Sequence, residues 1–160
     1  MGKFNFNKEE FEKVKSEAER LYQTFNSIYC PYLREKISFN AKGLRHLKFK
    51  SDQQARSQKD QYPRLKLLHL APQVLNKSHT LQGFWKTKRF EPHKTNGGWK
   101  CIMKDVIFYE FIAVLNNVRV KVIVKDVFGG EKYFWSIIPY WDIDKLRGKR
   151  ILHTGSPDSD

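Results

Sequence analysis

The stretch from Trp99 to Tyr140 constrains this chain most: three runs rich in β-branched and aromatic residues, joined by Asn116-Asn117 and Gly129-Gly130. Asn and Gly tolerate the positive φ of tight hairpins, so these joints predict antiparallel strands over about 99–115 (with a break near Asp105), 118–127 and 131–140. A strand over about 79–90 precedes them, through the turn Asn96-Gly97-Gly98. Closing the first hairpin places Leu115, Ala113, Phe111 and Tyr109 opposite Val118, Val120, Val122 and Val124. Closing the second places Trp135, Ile137 and Pro139 beside Val124, Val122 and Val120. Directly opposed residues share a side, so these residues form one apolar face. The other face carries Phe108, Glu110, Ile112 and Val114, then Arg119, Lys121, Ile123 and Lys125, then Phe134, Ser136, Ile138 and Tyr140. That face is expected to be wet.

The first half reads as helical. Asn7 and Glu10 have capping-box spacing, and Phe6 and Phe11 suit a hydrophobic staple. An apolar stripe through Phe11, Val14, Ala18, Leu21, Tyr22, Phe25, Ile28 and Tyr29 then runs to Pro31. A short extended piece is expected over 36–39. Asn40 can cap a short helix bearing Leu44, His46 and Leu47, and Ser51 with Gln54 has the spacing of a second capping box. Pro63 marks a helix start or restart, and Leu65 to Leu75 continue a helical pattern broken at Pro72. Helices followed by a four-stranded antiparallel meander make an α+β fold. The expected organisation is an accessory or docking helix (1–33), an α+β domain (34–142) and a loose tail (143–160).

Charge narrows the partner. The 160 residues carry 30 Lys plus Arg against 17 Asp plus Glu, a formal net charge of +13. The resulting positive field favours polyanions, while 40% hydrophobic residues provide a core that a disordered polycation lacks. Cys30 and Cys101 are too far apart in sequence to suggest a zinc ribbon, and they give no disulfide framework. No cofactor or metal is expected. The amino terminus lacks the pattern of a secretory signal and no apolar run is long enough to span a membrane, so a cytoplasmic protein without membrane partners is expected.

Cations interleaved with aromatic residues on a sheet suit RNA, with DNA as an alternative ligand. Arg119 and Lys121 can hold a phosphate and Glu110 can act as a base, or Glu110 can simply pair with Lys121 or Lys125. His46 can serve as acid or base, or be a partly buried structural histidine. Ser136 can supply a hydroxyl or only satisfy a hydrogen bond within its strand. Arg56, Lys59 and Arg64 lie in a charged segment that can face solvent or contribute phosphate contacts, and Lys125 and Tyr140 extend the same surface.

The helical segment Gly43-Leu44-Arg45-His46-Leu47, the stretch to Leu70-Ala71-Pro72-Gln73-Val74-Leu75, and the strands Tyr109-Glu110-Phe111, Val118-Arg119-Val120-Lys121-Val122 and Phe134-Trp135-Ser136-Ile137-Ile138-Pro139 together carry a resemblance. Over about residues 36–141 the chain resembles the barnase–EndoU–colicin–RelE nuclease superfamily, especially its phage-associated branch. That resemblance implies helices followed by a four-stranded sheet, and metal-independent RNA cleavage in a toxin or effector with a cognate inhibitor protein. It also implies a histidine from the helical part, a basic residue on a central strand and a hydroxyl on the last strand; His46, Arg119 and Ser136 match. Three readings follow: an endoribonuclease cleaving by 2′-hydroxyl attack, a non-catalytic RNA- or DNA-binding module, and an interaction protein working through its first helix.

Overall fold

The computed structural model describes residues 6–51, 53–144, 149–152, 157, 158 and 160. Helix α1 spans Lys8–Gln23, with the Asn7 side chain accepting from the Glu10 backbone N–H at 2.8 Å. Phe6 and Phe11 meet at 6.0 Å between ring centroids, so cap and staple act together. The helix stops well before Pro31: the Thr24 hydroxyl donates to the Leu21 carbonyl, and the chain re-emerges extended as β1 (Ile28–Cys30). Phe25 and Ile28 still reach the core, but from a turn and a strand.

Strand β2 (Glu35–Ile37) pairs with β1. Helix α2 (Ala41–Lys48) follows, its first turn capped by Asn40 as its sequence position suggests. Ser51 and Gln54 form no capping box. They lie in the small hairpin of β3 (Phe49–Ser51) and β4 (Gln54–Ala55), and Ser57 instead caps α3 (Gln58–Leu67). Pro63 lies inside α3 rather than at its start. A 3₁₀ turn over Leu68–Leu70 leads to α4 (Ala71–Lys77), which places Pro72 in a first turn, where its missing N–H is tolerated.

The fold is α+β. Strands β5 (Gly83–Thr95), β6 (Gly98–Leu115), β7 (Val118–Val127) and β8 (Tyr133–Pro139) form an antiparallel sheet in sequential order. Asn116 and Asn117 take φ of 50° and 63°, and the first hairpin has the register read from its turn. The second departs from expectation at one point. A β-bulge between Ile123 and Val124 sets Phe134, not Trp135, opposite Val124. One inserted residue reverses the sides: Phe134 joins the main core, and Trp135 joins Val106, Phe108 and Ile123 on the other face.

The main core joins Phe11, Ala18 and Tyr22 of α1 with Leu47, Leu65, Val74 and the sheet residues Phe111, Val120, Val122 and Ile137. Helix α1 is thus a wall of the same core rather than an appendage. Burying side chains such as Phe111 and Val122 stabilises by about 1.5–3 kcal/mol each. At Gly43 the helix α2 lies so close to β8 that an added Cβ would sit 2.3 Å from the Phe134 carbonyl oxygen.

The expected wet face is covered over its middle, while Glu110, Ile112, Arg119 and Tyr140 stay partly exposed and Val114 is exposed. Phe108, Lys121, Ile123, Lys125, Ser136 and Ile138 are all buried. The long β5–β6 ribbon curls over this face, where Glu91 reaches Lys125 at 2.7 Å, and the ladder partners Trp85 and Phe108 stack on the same side. Farther along, β9 (Trp141–Asp144) pairs with β10 (Lys149–Leu152). Asp158 pairs with Arg89 and Asp160 is buried against the sheet, so these tail residues are docked rather than loose. No helix of the described residues is long and apolar enough to cross a membrane.

Candidate functional site

The covered face contains a polar cluster at the junction of α2, α3, β7 and β8. Its anchor is Asp60 in the first turn of α3. Asp60 lies four residues from both Arg56 and Arg64 and pairs with them at 3.0 and 3.1 Å. Although burial would raise it, the Arg64 and Arg56 charges and hydrogen bonds hold the Asp60 carboxyl below its usual range.

Arg56 then organises His46. Its Nε donates to the His46 carbonyl at 2.8 Å, and a terminal nitrogen lies 3.1 Å from His46 Nε2. A guanidinium can only donate, so Nε2 is the acceptor and the ring proton sits on Nδ1. The backbone of Asp160 accepts a hydrogen bond from this imidazole. The ring stacks on Trp135 at 3.9 Å between centroids. Burial, followed by the charges of Arg56, Arg64 and Lys125, pushes the imidazole pKa down to about 2. His46 is therefore a neutral acceptor here, and the expectation that it could act as a ready acid does not fit this arrangement.

Arg64 continues the network toward the sheet, donating to Ser136 Oγ at 2.8 Å. Burial lowers its pKa to about 10, with the neighbouring Arg56 charge adding to the effect. Ser136 donates to the Asp160 backbone oxygen at 2.6 Å, and Lys121 Nζ lies 2.5 Å from Asp160 Oδ2 and 3.4 Å from Glu110 Oε1. Gly83 faces Glu110 across the ladder, and a Cβ there would lie 2.1 Å from the carboxylate, so glycine leaves Glu110 its room. The result is a continuous polar path through Asp60, Arg64, Ser136, Asp160, Lys121 and Glu110.

Of the residues singled out in the sequence, His46, Arg56, Arg64, Glu110, Lys121 and Ser136 converge here. Arg119 joins through Tyr140, whose ring lies 5.2 Å from the Arg119 guanidinium and 5.5 Å from Lys121 Nζ. Lys125 is brought to the same region but is matched by Glu91 and lies over the Trp135 ring at 4.2 Å. Lys59 is exposed on α3, outside the buried path. Asp60, Glu91, Trp135 and Asp160 were not singled out. The i, i+4 spacing of Asp60 to both arginines was a readable signal, whereas the bulge at Trp135 and the docking of Asp160 have no local signature.

Within these ion pairs the charges are matched in number. Arg56, Arg64, Lys121 and Lys125 face Asp60, Glu91, Glu110 and Asp160. Displacing Asp160 would leave the Lys121 ammonium without that carboxylate, beside a Ser136 hydroxyl whose proton is free to donate while its oxygen still accepts from Arg64. Such a site is suited to a monoanion with several oxygens. Among the described residues, no group of three or more His, Cys, Asp or Glu is placed to hold a metal ion. Comparisons with protein-family models, curated proteins and solved structures find no match for this chain.

Proposed function

We propose that this protein is a metal-independent endoribonuclease that binds an RNA phosphodiester where the Asp160 carboxylate lies. One observation carries the reading: Arg64, Ser136 and Lys121 gather around Asp160, whose backbone oxygen accepts from Ser136 and whose carboxylate pairs with Lys121. A phosphodiester is a monoanion whose non-bridging oxygens are acceptors for the same guanidinium, hydroxyl and ammonium donors. The net charge of +13 favours approach of the remaining polyanion.

Cleavage follows from proton positions. Glu110 takes the proton of the 2′-hydroxyl as its oxygen bonds to phosphorus, and the bond from phosphorus to the 5′-oxygen breaks. Lys121, set between Glu110 and the phosphate position, protonates the leaving oxygen and recovers a proton from Glu110. Arg64 stabilises charge on the phosphoryl oxygens. His46 holds Arg56 through its Nε2 acceptor and is a positioning residue. His46, Arg119 and Ser136 are also the residues that the sequence resemblance to the nuclease superfamily implies.

A second reading, a non-catalytic RNA- or DNA-binding module, is favoured by one observation: a neutral, buried His46 is not a working general acid. Incubation with end-labelled RNA in EDTA separates the two. Cyclic-phosphate ends are expected, with Lys121→Met and Arg64→Met each cutting the rate by about 10²-fold or more. Salt-sensitive binding without cleavage would establish the module instead.

A further inference from the structure

From the outer face of the β5–β6 ribbon, we infer that the protein has a second contact surface, a stacking track for single-stranded RNA on the side of the ribbon turned away from the cluster. The inference rests on RNA being the ligand, as proposed above. Strand β6 pairs with β7 only from Val106 onward, so Gly98–Asp105 and their β5 partners form a two-stranded ribbon. The inner side is committed: at the base of the ribbon Trp85 stacks on Phe108, and within it Arg89 pairs with Asp158 and Glu91 with Lys125.

The outer side is different. Side chains alternate along a strand, so Phe84, Lys86, Lys88, Phe90 and Lys94 share one side of β5, and Trp99 joins them opposite Lys94. Phe84, Phe90 and Trp99 are 58%, 69% and 71% exposed. Phe84 meets Tyr109 edge-on and Phe90 stands opposite the exposed Met103, yet all three rings remain mostly in water with lysines interleaved between them, an exposure that is costly to leave uncovered. At roughly 3.3 Å per residue, Phe84 and Phe90 stand about 20 Å apart, and Phe90 lies about 13 Å from the Lys94–Trp99 pair. A flexible single strand can bridge such intervals, with bases on the rings and phosphates on the intervening ammonium groups.

Charge selects this occupant. The outer side carries Lys86, Lys88 and Lys94 against Asp105, which makes it repel a second copy of itself and attract a polyanion. The rings bind bases through their faces, so the track tolerates any sequence and requires unpaired bases. It is a contact surface separate from the nucleotide position in the cluster.

The test uses the full chain and labelled, non-cleavable 2′-O-methyl RNA of about 3 and about 12 nucleotides, lengths too short to lie along the track or long enough to span it. Phe90→Ser with Trp99→Ser is expected to weaken binding of the longer strand about tenfold or more, leaving the shorter unchanged. Lys86→Ser, Lys88→Ser and Lys94→Ser together should reduce the salt slope for the longer strand by about 2. Both sets lie at exposed positions, and unchanged thermal melting would confirm folding. If the ring variant binds both strands like the parent while Arg64→Met loses both, the track is refuted and the cluster reading survives. If the ring variant loses the longer strand while Arg64→Met binds both normally, the track stands and the cluster reading fails. Preference for a duplex of the same length, loss of self-association as the ring variant's sole effect, or absence of binding by the parent would each overturn the inference.

Discussion

Acidification from pH 7 to 5 should destabilise the fold through His46, independently of its carboxylates. The imidazole is 4% exposed and its folded pKa is about 2, against 6.5 for an unperturbed histidine. Below pH 6.5 the unfolded chain binds a proton that the folded chain refuses, so the contribution is complete above that value and declines as pH falls. Each unit is worth about 1.36 kcal/mol, so the loss between pH 7 and 5 is about 2 kcal/mol. Asp60, with its folded pKa depressed, contributes stability that is lost only as pH falls from the unperturbed value of 3.8, outside this window. The assay is urea unfolding at pH 7, 6 and 5 for the parent and for His46→Gln, whose amide oxygen can still accept from Arg56 but does not titrate. The parent should lose about 2 kcal/mol more than the variant over the two units, equivalent to about 4–8 °C in melting temperature. Parallel profiles would refute a buried, neutral His46 and with it the assignment of Lys121 as the acid.

Two further perturbations test packing and occupancy. Gly43→Ala places a methyl group against the Phe134 carbonyl oxygen, so α2 must lift from β8 at a cost of about 1–3 kcal/mol, measurable as a lower melting temperature without loss of secondary structure. Asp160→Asn removes the negative charge beside Lys121 and should tighten binding of a short RNA several-fold in calorimetry, because an intramolecular competitor is weakened; weaker binding would make Asp160 part of the ligand site.

Much of this architecture is written locally. Asn7 and Asn40 begin helices because their side chains accept the backbone N–H groups that a first turn leaves open. Asn116-Asn117 closes a hairpin because both residues tolerate positive φ, and its turn carries the register of four opposed pairs into the sheet. The candidate site was partly legible for the same reason. Once the strands are aligned, Glu110, Lys121 and Ser136 must share a face, and Arg56 and Arg64 have the spacing to meet at one carboxylate.

The tertiary structure decided what covers that face and what charge the groups beneath it carry. A single bulge moved Trp135 under His46, because side-chain alternation reverses with each inserted residue. The curl of the β5–β6 ribbon brought Glu91 to Lys125, and the docking of Asp160 brought a carboxylate to Lys121, across separations that no local propensity encodes. Residue identity determined that a basic sheet face with a carboxylate, a hydroxyl and aromatic rings would form. Burial decided that its middle would be a largely enclosed, ion-paired cluster, since desolvation and neighbouring charge depend on where distant segments come to rest.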